Sequence, residues 1–334
     1  MTPLVSVIIP AYNCEKTIQD TLESVRKQSY SNLEVIVIDD GSRDSTVRSV
    51  ASIAEQDTRI KVFSYANAGP AVARNRGIEK SEGDFIAFLD ADDLWTPDKI
   101  SDQVTALQNH PQAGLAYSWI DWIDEADQFL RHGSHIDAEG DVLSQLLLRN
   151  FIDNGSNALV RSDVLDQIGQ FDSTLPPSED WDMWLRIAAK YEFVCIPKVQ
   201  VFYRILKTSL STNILKLSQA NLKIIDNFFL SYPELKATIG EQAYADKYRY
   251  FTFKSIEGAP SRQNGWLALR FFAKAISIEP EWWLKRIKLF FLVLLKAILF
   301  TASPSMASLF FCLTFLCSYD ADVSVVIHLN DLPS

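Results

Sequence analysis

The chain has 334 residues, 48% of them apolar and 22% charged, which excludes a disordered chain and leaves room for a sizeable core and two units. A net charge of −10 argues against nucleic acid as a main partner. Cys14, Cys195, Cys312 and Cys317 show no paired or metal-ligand spacing, which favours a reduced, cytoplasmic setting over a disulfide framework. Met1-Thr2-Pro3 leads straight into a strand, with no signal-peptide pattern. Val5 to Ile9 is a short buried strand that should break at Pro10. Thr17, Ile18, Leu22 and Val25 recur at helical spacing, with Asn13 available as a cap. A second strand, Leu33 to Ile38, ends in Asp39-Asp40-Gly41-Ser42. A helix from Ser45 to Ala54, a strand from Ile60 to Tyr65, a helix from Gly69 to Glu79 and a strand from Phe85 to Leu89 follow. Such alternation predicts a parallel sheet with helices on both faces, whose ligands bind at the carboxyl ends of the strands.

Three segments fall at such ends: Pro10-Ala11-Tyr12, Asp39-Asp40 and Asp90-Ala91-Asp92-Asp93. Two carboxylates one residue apart, Asp90 and Asp92, suit a hard divalent ion together with a diphosphate. The same acids would also serve as turn formers ahead of a helix starting near Pro97. No Gly-x-Gly-x-x-Gly follows the first strand and no Gly-x-x-x-x-Gly-Lys loop is present, so a diphosphate here needs a cation and an arginine. Asp92 offers the first, and Arg74 and Arg76 the second. The four histidines form no zinc signature, and His132 and His135 read as a solvated loop pair.

Val5-Ser6-Val7-Ile8-Ile9-Pro10-Ala11-Tyr12-Asn13, Val37-Ile38-Asp39-Asp40-Gly41-Ser42, Gly69-Pro70-Ala71-Val72-Ala73-Arg74-Asn75-Arg76-Gly77 and Asp90-Ala91-Asp92-Asp93 occur in order. Together they resemble the motifs of family-two inverting glycosyltransferases with the GT-A fold. A further block, Gly169-Gln170-Phe171-Asp172 through Ser178-Glu179-Asp180-Trp181-Asp182-Met183-Trp184-Leu185-Arg186, resembles that family's acceptor-side motif. The likeness covers roughly residues 4 to 205. It implies a catalytic domain over 1–212, with a nucleotide-binding half to about 114 and an acceptor half from about 115. It implies a nucleotide-binding set of Pro10, Ala11 and Tyr12 around the base, Asp40 accepting from the base, Arg74 near the nucleotide, and Asp90 with Ala91 at the ribose. Asp92 would bind Mg²⁺ or Mn²⁺, and Asp180 would be the general base. The donor would be a nucleotide-diphospho sugar, UDP-linked by expectation, and the acceptor a hydroxyl of a glycan or lipid-linked sugar in cell-surface polysaccharide synthesis.

Plainer roles compete at several positions. Asp40-Gly41 is an ordinary turn, Arg74 would pair with Glu79 or Asp84, and Asp180 would favour a helix start through the helix dipole. Trp181, Trp184 and Leu185 have core spacing, although Trp181 could stack on an acceptor sugar. One departure from the family stands out: after Tyr203-Arg204 the expected histidine position holds Leu206. Two other classes are weighed. A sugar-phosphate nucleotidyltransferase would need a basic, glycine-rich N-terminal loop, which is absent; a catalytically inactive nucleotide-sugar or glycan-binding pseudo-transferase is the alternative, favoured by loss of Asp92 or Asp180, and both are present.

Residues 213–334 read as a helical region without a catalytic motif. Trp282 to Lys288 precedes an apolar stretch, and 282–319 is a membrane-anchor candidate interrupted at Pro304. A helical wheel places Lys285, Lys288 and Lys296 on one side and Trp283, Ile287, Phe290, Phe291, Leu294 and Ile298 on the other. Interfacial attachment, a single span and a buried helical pair all fit that pattern. The basic cluster would keep the protein on the cytosolic face of the membrane in either membrane case.

Overall fold

The structure, a computed structural model, describes residues 2–206, 213–257 and 259–304. The chain divides into two compact units, Met1–Thr212 and Asn213–Ser334. The first opens with β1 (Val5–Ala11), α1 (Ile18–Arg26), β2 (Leu33–Asp39), α2 (Thr46–Ala54), β3 (Ile60–Ser64), α3 (Pro70–Ile78) and β4 (Phe85–Phe88). It continues with β5 (Leu94–Trp95), α4 (Lys99–Asn109), β6 (Ala113–Ile123), β7 (Phe129–His132) and α5 (Leu143–Leu148). It closes with β8 (Leu159–Arg161), α6 (Ser162–Ile168), α7 (Glu179–Ala188) and β9 (Glu192–Arg204).

The strands form one sheet in the order β3-β2-β1-β4-β8-β6-β9-β5, with β7 paired to β6. Strands β1 to β4 are mutually parallel, as the alternation of strand and helix predicts. Beyond β4 the sheet is mixed: β8 runs antiparallel to β4 and β6, and β6 and β9 are again parallel. Every residue of β2 is buried, as expected of a central strand covered on both faces. On one face Val5, Val7 and Ile9 pack with Ile18 and Leu22 of α1, Val50 of α2 and Val104 of α4. On the other, a Cβ on Gly77 of α3 would lie 2.2 Å from Ile8 Cγ2, so glycine lets that helix rest directly on β1. Phe88 meets Phe171 and Trp184 edge-on or tilted, at 5.1 and 6.1 Å. Each such aliphatic or aromatic side chain contributes about 1.5–3 kcal/mol through burial.

Two local expectations change. Strand β1 runs through Pro10 rather than breaking there, with Pro10 opposite Ile38. The backbone of Ile8 bonds towards β4, through Leu89 N–H, and Pro10 lies on the same edge just past the last β4 pair, where no N–H is needed. Asn13 caps no helix. It sits at φ 49° and its Oδ1 accepts from Arg43 N–H, tying the end of β1 to the loop after β2.

The second unit contains α8 (Ile214–Ser231), α9 (Pro233–Ser255), α10 (Arg262–Ile278), α11 (Pro280–Leu284) and α12 (Ile287–Ala302). Among the described residues no helix is long and apolar enough to cross a membrane. Part of the 282–319 anchor candidate lies outside the described residues. The helical wheel is corrected at two positions. Trp283 is buried against Phe272, and Lys296 is buried beside Phe300 instead of joining Lys285 and Lys288 in solvent. The cause is a close helix contact: a Cβ on Gly265 of α10 would lie 2.4 Å from Thr301 Oγ1, so α12 turns its Ala297 and Phe300 face inward and takes Lys296 with it. Burial lowers the Lys296 ammonium to about 8. The outward face carries Ile287, Phe291, Leu295 and Ile298.

Candidate active site

The carboxyl ends of β1, β2 and β4 adjoin. Ala11 pairs with Asp39, Asp40 N–H donates to Ala11 carbonyl, and Leu89 N–H donates to Ile8 carbonyl. The segments expected to converge therefore stand at one sheet edge. Ala11 is buried, Pro10 half-buried, and the Tyr12 side chain is exposed. Asp40 is buried, and its carboxylate accepts from Ala68 N–H and Gly69 N–H at 2.8–3.1 Å and from Arg76 Nη1 at 3.2 Å. It thereby fixes the turn before α3, where Gly69 has φ 91°. Arg76 also stacks over Tyr65 at 4.4 Å.

Arg74 projects from α3 and is buried. Its guanidinium binds Asp90 Oδ1 at 2.6 Å and Glu179 Oε1 at 2.8 Å, partners other than Glu79 or Asp84. A Cβ on Gly155 would lie 2.9 Å from Arg74 Nη2, so the loop before β8 presses its backbone against this side chain. Burial opposes the charge on Arg74, yet Asp90, Glu179 and Asp180 together raise its pKa. This one guanidinium joins the loop after β4 to the first turn of α7, 105 residues apart from it in the chain at Glu179.

Backbone and side-chain hydrogen bonds hold the acidic loop at each of its four residues. Asp90 N–H donates to Ser156 Oγ at 2.9 Å, and Ala91 carbonyl accepts from Thr17 Oγ1 at 2.8 Å. Asp92 carbonyl accepts from Arg204 Nε at 2.8 Å. Asp93 is fully buried and accepts from Asn154, Ser156 and Arg204 N–H, so it is an anchor of the loop. Its burial and the neighbouring Asp92 and Asp90 push its pKa well up. Asp92 is half-buried, and its carboxylate accepts from no other side chain among the described residues. Burial and the Asp90 charge raise it to about 7, against the pull of Arg204 and Arg74. A carboxylate that is desolvated, crowded by a second one and held by no side-chain donor fits a hard divalent cation.

Glu179 and Asp180 open α7 where the helix dipole favours negative charge. Asp180 Oδ1 accepts from Trp181 N–H at 2.7 Å. Burial and Glu179 raise Asp180 to about 7, while Arg74 lowers it. Trp181 is buried with its indole N–H on Leu146 carbonyl, so it belongs to the core and presents no face to a sugar. Arg204 ends β9 with its guanidinium on Asp92 carbonyl and Asp127, and Nη2 is buried without a partner among the described residues.

Several participants escape a reading of the sequence. Glu179 emerges as the buried counter-ion of Arg74, and Ser156 and Asn154 as clamps on the acidic loop. The Asn154-Gly155-Ser156-Asn157 run carries turn chemistry, but nothing in it says which loop it will meet. His132 and His135 also differ from a merely solvated pair: both reach Asp121 on β6.

This mixed sheet with ligand-type groups at the ends of β1, β2 and β4 defines a GT-A nucleotide-diphospho-sugar transferase fold. The chain belongs to the family described as glycosyltransferase like family 2, which it matches over residues 6–255. It is 46% identical over 110 residues to an uncharacterized glycosyltransferase of Haemophilus influenzae, covering 32% of this chain and 44% of that protein. It is 30% identical over 213 residues to TuaG of Bacillus subtilis, a glycosyltransferase named for teichuronic acid biosynthesis, covering 63% of this chain and 82% of TuaG. The match spans 27% to 44% of the length of the first curated relatives. In fold it is similar to a mannosyltransferase from Pyrobaculum calidifontis solved with GDP-Man and Mn²⁺: TM-score 0.57, 18% identity, 91% of this chain and 88% of that one.

Proposed function

We propose that the chain is an inverting glycosyltransferase that moves one sugar from a nucleotide-diphospho donor to a hydroxyl of a glycan or lipid-linked acceptor. The observation that carries this reading is Arg74, whose two ion pairs set the Asp90–Asp92 loop beside the Glu179-Asp180 pair. Pro10, Ala11 and exposed Tyr12 line the base side, Asp40 shapes the turn that faces it, and Asp90 with Ala91 takes the ribose. Asp92 holds Mg²⁺ or Mn²⁺. When bound, that cation neutralises charge developing on the leaving diphosphate. Asp180 takes the proton of the attacking hydroxyl. Its Oδ1 is occupied by Trp181 N–H, which leaves Oδ2 for that proton. A carboxylate raised to about 7 is well matched to a base working near neutral pH. No covalent nucleophile is needed, because attack opposite the leaving group inverts the anomeric centre in one displacement. The exposed apolar stripe Ile287, Phe291, Leu295 and Ile298, with Lys285 and Lys288 exposed nearby, supports attachment of the second unit to a cytosolic membrane surface.

A thermal-shift panel of UDP, GDP, dTDP and CDP, each with Mn²⁺ or with chelator, tests the donor site. UDP is the expected binder. At 100 times its dissociation constant a bound nucleotide adds about 2.7 kcal/mol, or roughly 5–10 °C for a unit the size of Met1–Thr212. The shift should require Mn²⁺ and vanish in Asp92→Ala. No shift with any nucleotide, or one indifferent to both chelator and Asp92→Ala, sinks the metal-assisted reading.

A further inference from the structure

A second group of ligand-type side chains lies on the β6–β7 hairpin and shares no residue with the loop that carries Asp92. Asp121 pairs in register with His132, the last residue of β7, and the chain then turns through Gly133 to bring back His135. His132 Nδ1 lies 2.9 Å and His135 Nε2 3.0 Å from the same atom, Asp121 Oδ1. One ligand atom from each residue lies within 4.8 Å of the others. We propose that Asp121, His132 and His135 bind a divalent transition-metal ion of the Zn²⁺ class, at a site separate from the Asp92 carboxylate.

The geometry is close to what such an ion demands. Zinc bonds of about 2.0–2.1 Å in a tetrahedron place ligand atoms about 3.3 Å apart. Both edges from Asp121 Oδ1 are within about 0.4 Å of that value, and the third needs a modest turn of one imidazole. His132 has room for it, since its side chain is 68% exposed. His135 is already oriented. Its ring stacks on Trp119 at 4.7 Å and 12°, and the Trp119 indole is itself pinned by a 2.9 Å bond to Asp137 Oδ1. Charge points the same way. Asp121 is buried, and among the described residues no lysine or arginine pairs with it, so its carboxylate calls for a positive partner. Two imidazoles and one carboxylate favour Zn²⁺, Co²⁺ or Ni²⁺ over Mg²⁺ or Ca²⁺, and three protein ligands leave a position open to water.

The test uses the full chain, stripped of metal by chelator and titrated with Co²⁺, reading the visible d–d absorption of a nitrogen-ligated ion. One equivalent should bind, Zn²⁺ should displace it stoichiometrically, and a large excess of Mg²⁺ should not. His132→Ala alters an exposed side chain, so folding is not at stake. It should weaken Co²⁺ binding by more than the ~10-fold typical of losing even an outer-sphere partner. Asp92→Ala should leave the band in place, which separates this site from the proposed donor site. Absence of the band in the wild type, an unchanged affinity in His132→Ala, or loss of the band in Asp92→Ala would each overturn the proposal and leave a hydrogen-bonded histidine cluster.

Discussion

Replacing Arg74 by methionine should be among the most damaging single changes in the first unit. The side chain is 5% exposed and holds Asp90 at 2.6 Å and Glu179 at 2.8 Å. Methionine fills much of its volume but carries no charge. Glu179 Oε1 would lose its partner, while Oε2 already has none among the described residues, leaving a buried bare carboxylate. Asp90, Asp92 and Asp180 would lose the cation that offsets their mutual repulsion. Breaking a buried ion pair from one side costs about 3–5 kcal/mol, against total stabilities of about 5–15 kcal/mol. At about 2–4 °C per kcal/mol, the midpoint should fall by roughly 6–20 °C. Urea unfolding of the full chain, followed by tryptophan fluorescence, measures this. Glu179→Gln added to Arg74→Met removes the stranded charge and should recover part of the loss. A cost below about 1 kcal/mol for Arg74→Met, or a double variant no more stable than the single, would refute the view that Arg74 is the electrostatic tie between the two loops.

Asp180→Asn should keep nucleotide binding and slow transfer by about 10²–10⁴-fold. Wild-type kcat/KM should climb as pH passes about 7, where Asp180 ionises, and a profile flat from pH 5.5 to 8.5 would remove it as the base. In the second unit, burial lowers Lys247 from 10.5 to about 7. Between those values the unfolded chain binds the extra proton, so this group's contribution to stability rises with pH and levels off above 10.5. Thermal unfolding at pH 7 and 9.5 should therefore show the wild type gaining on Lys247→Met, and parallel behaviour would count against a buried neutral lysine. Phe291→Asp with Ile298→Asp should lift the protein off anionic vesicles in a flotation assay; full retention would mean that another surface makes the contact.

The parallel half of the fold is legible because period-two and continuous apolar runs must be buried whichever partner they find. Val5 to Ile9 and Leu33 to Ile38 have no other stable use. The mixed half is less so: β8 has three residues, and its place between β4 and β6 depends on pairings set by distant segments. The wheel drawn for α12 errs at Lys296 because hydropathy ranks faces, whereas Gly265 on α10 chooses which face can come close.

By itself the sequence determines which residue types stand at the strand ends: Asp40, Asp90, Asp92 and, at a helix start, Asp180. It does so because an apolar run that stops at a charge must stop at the sheet edge, where water or a ligand can meet that charge. Only the tertiary structure decides what each carboxylate does there. Asp40 is drawn into a turn by Ala68 and Gly69, and Asp93 is buried on Asn154 and Ser156. Asp90 goes to Arg74, and Asp92 is left without a side-chain donor. The difference is long-range by nature. Those partners come from residues up to 63 positions away, and their approach is set by how the sheet closes, not by local preference.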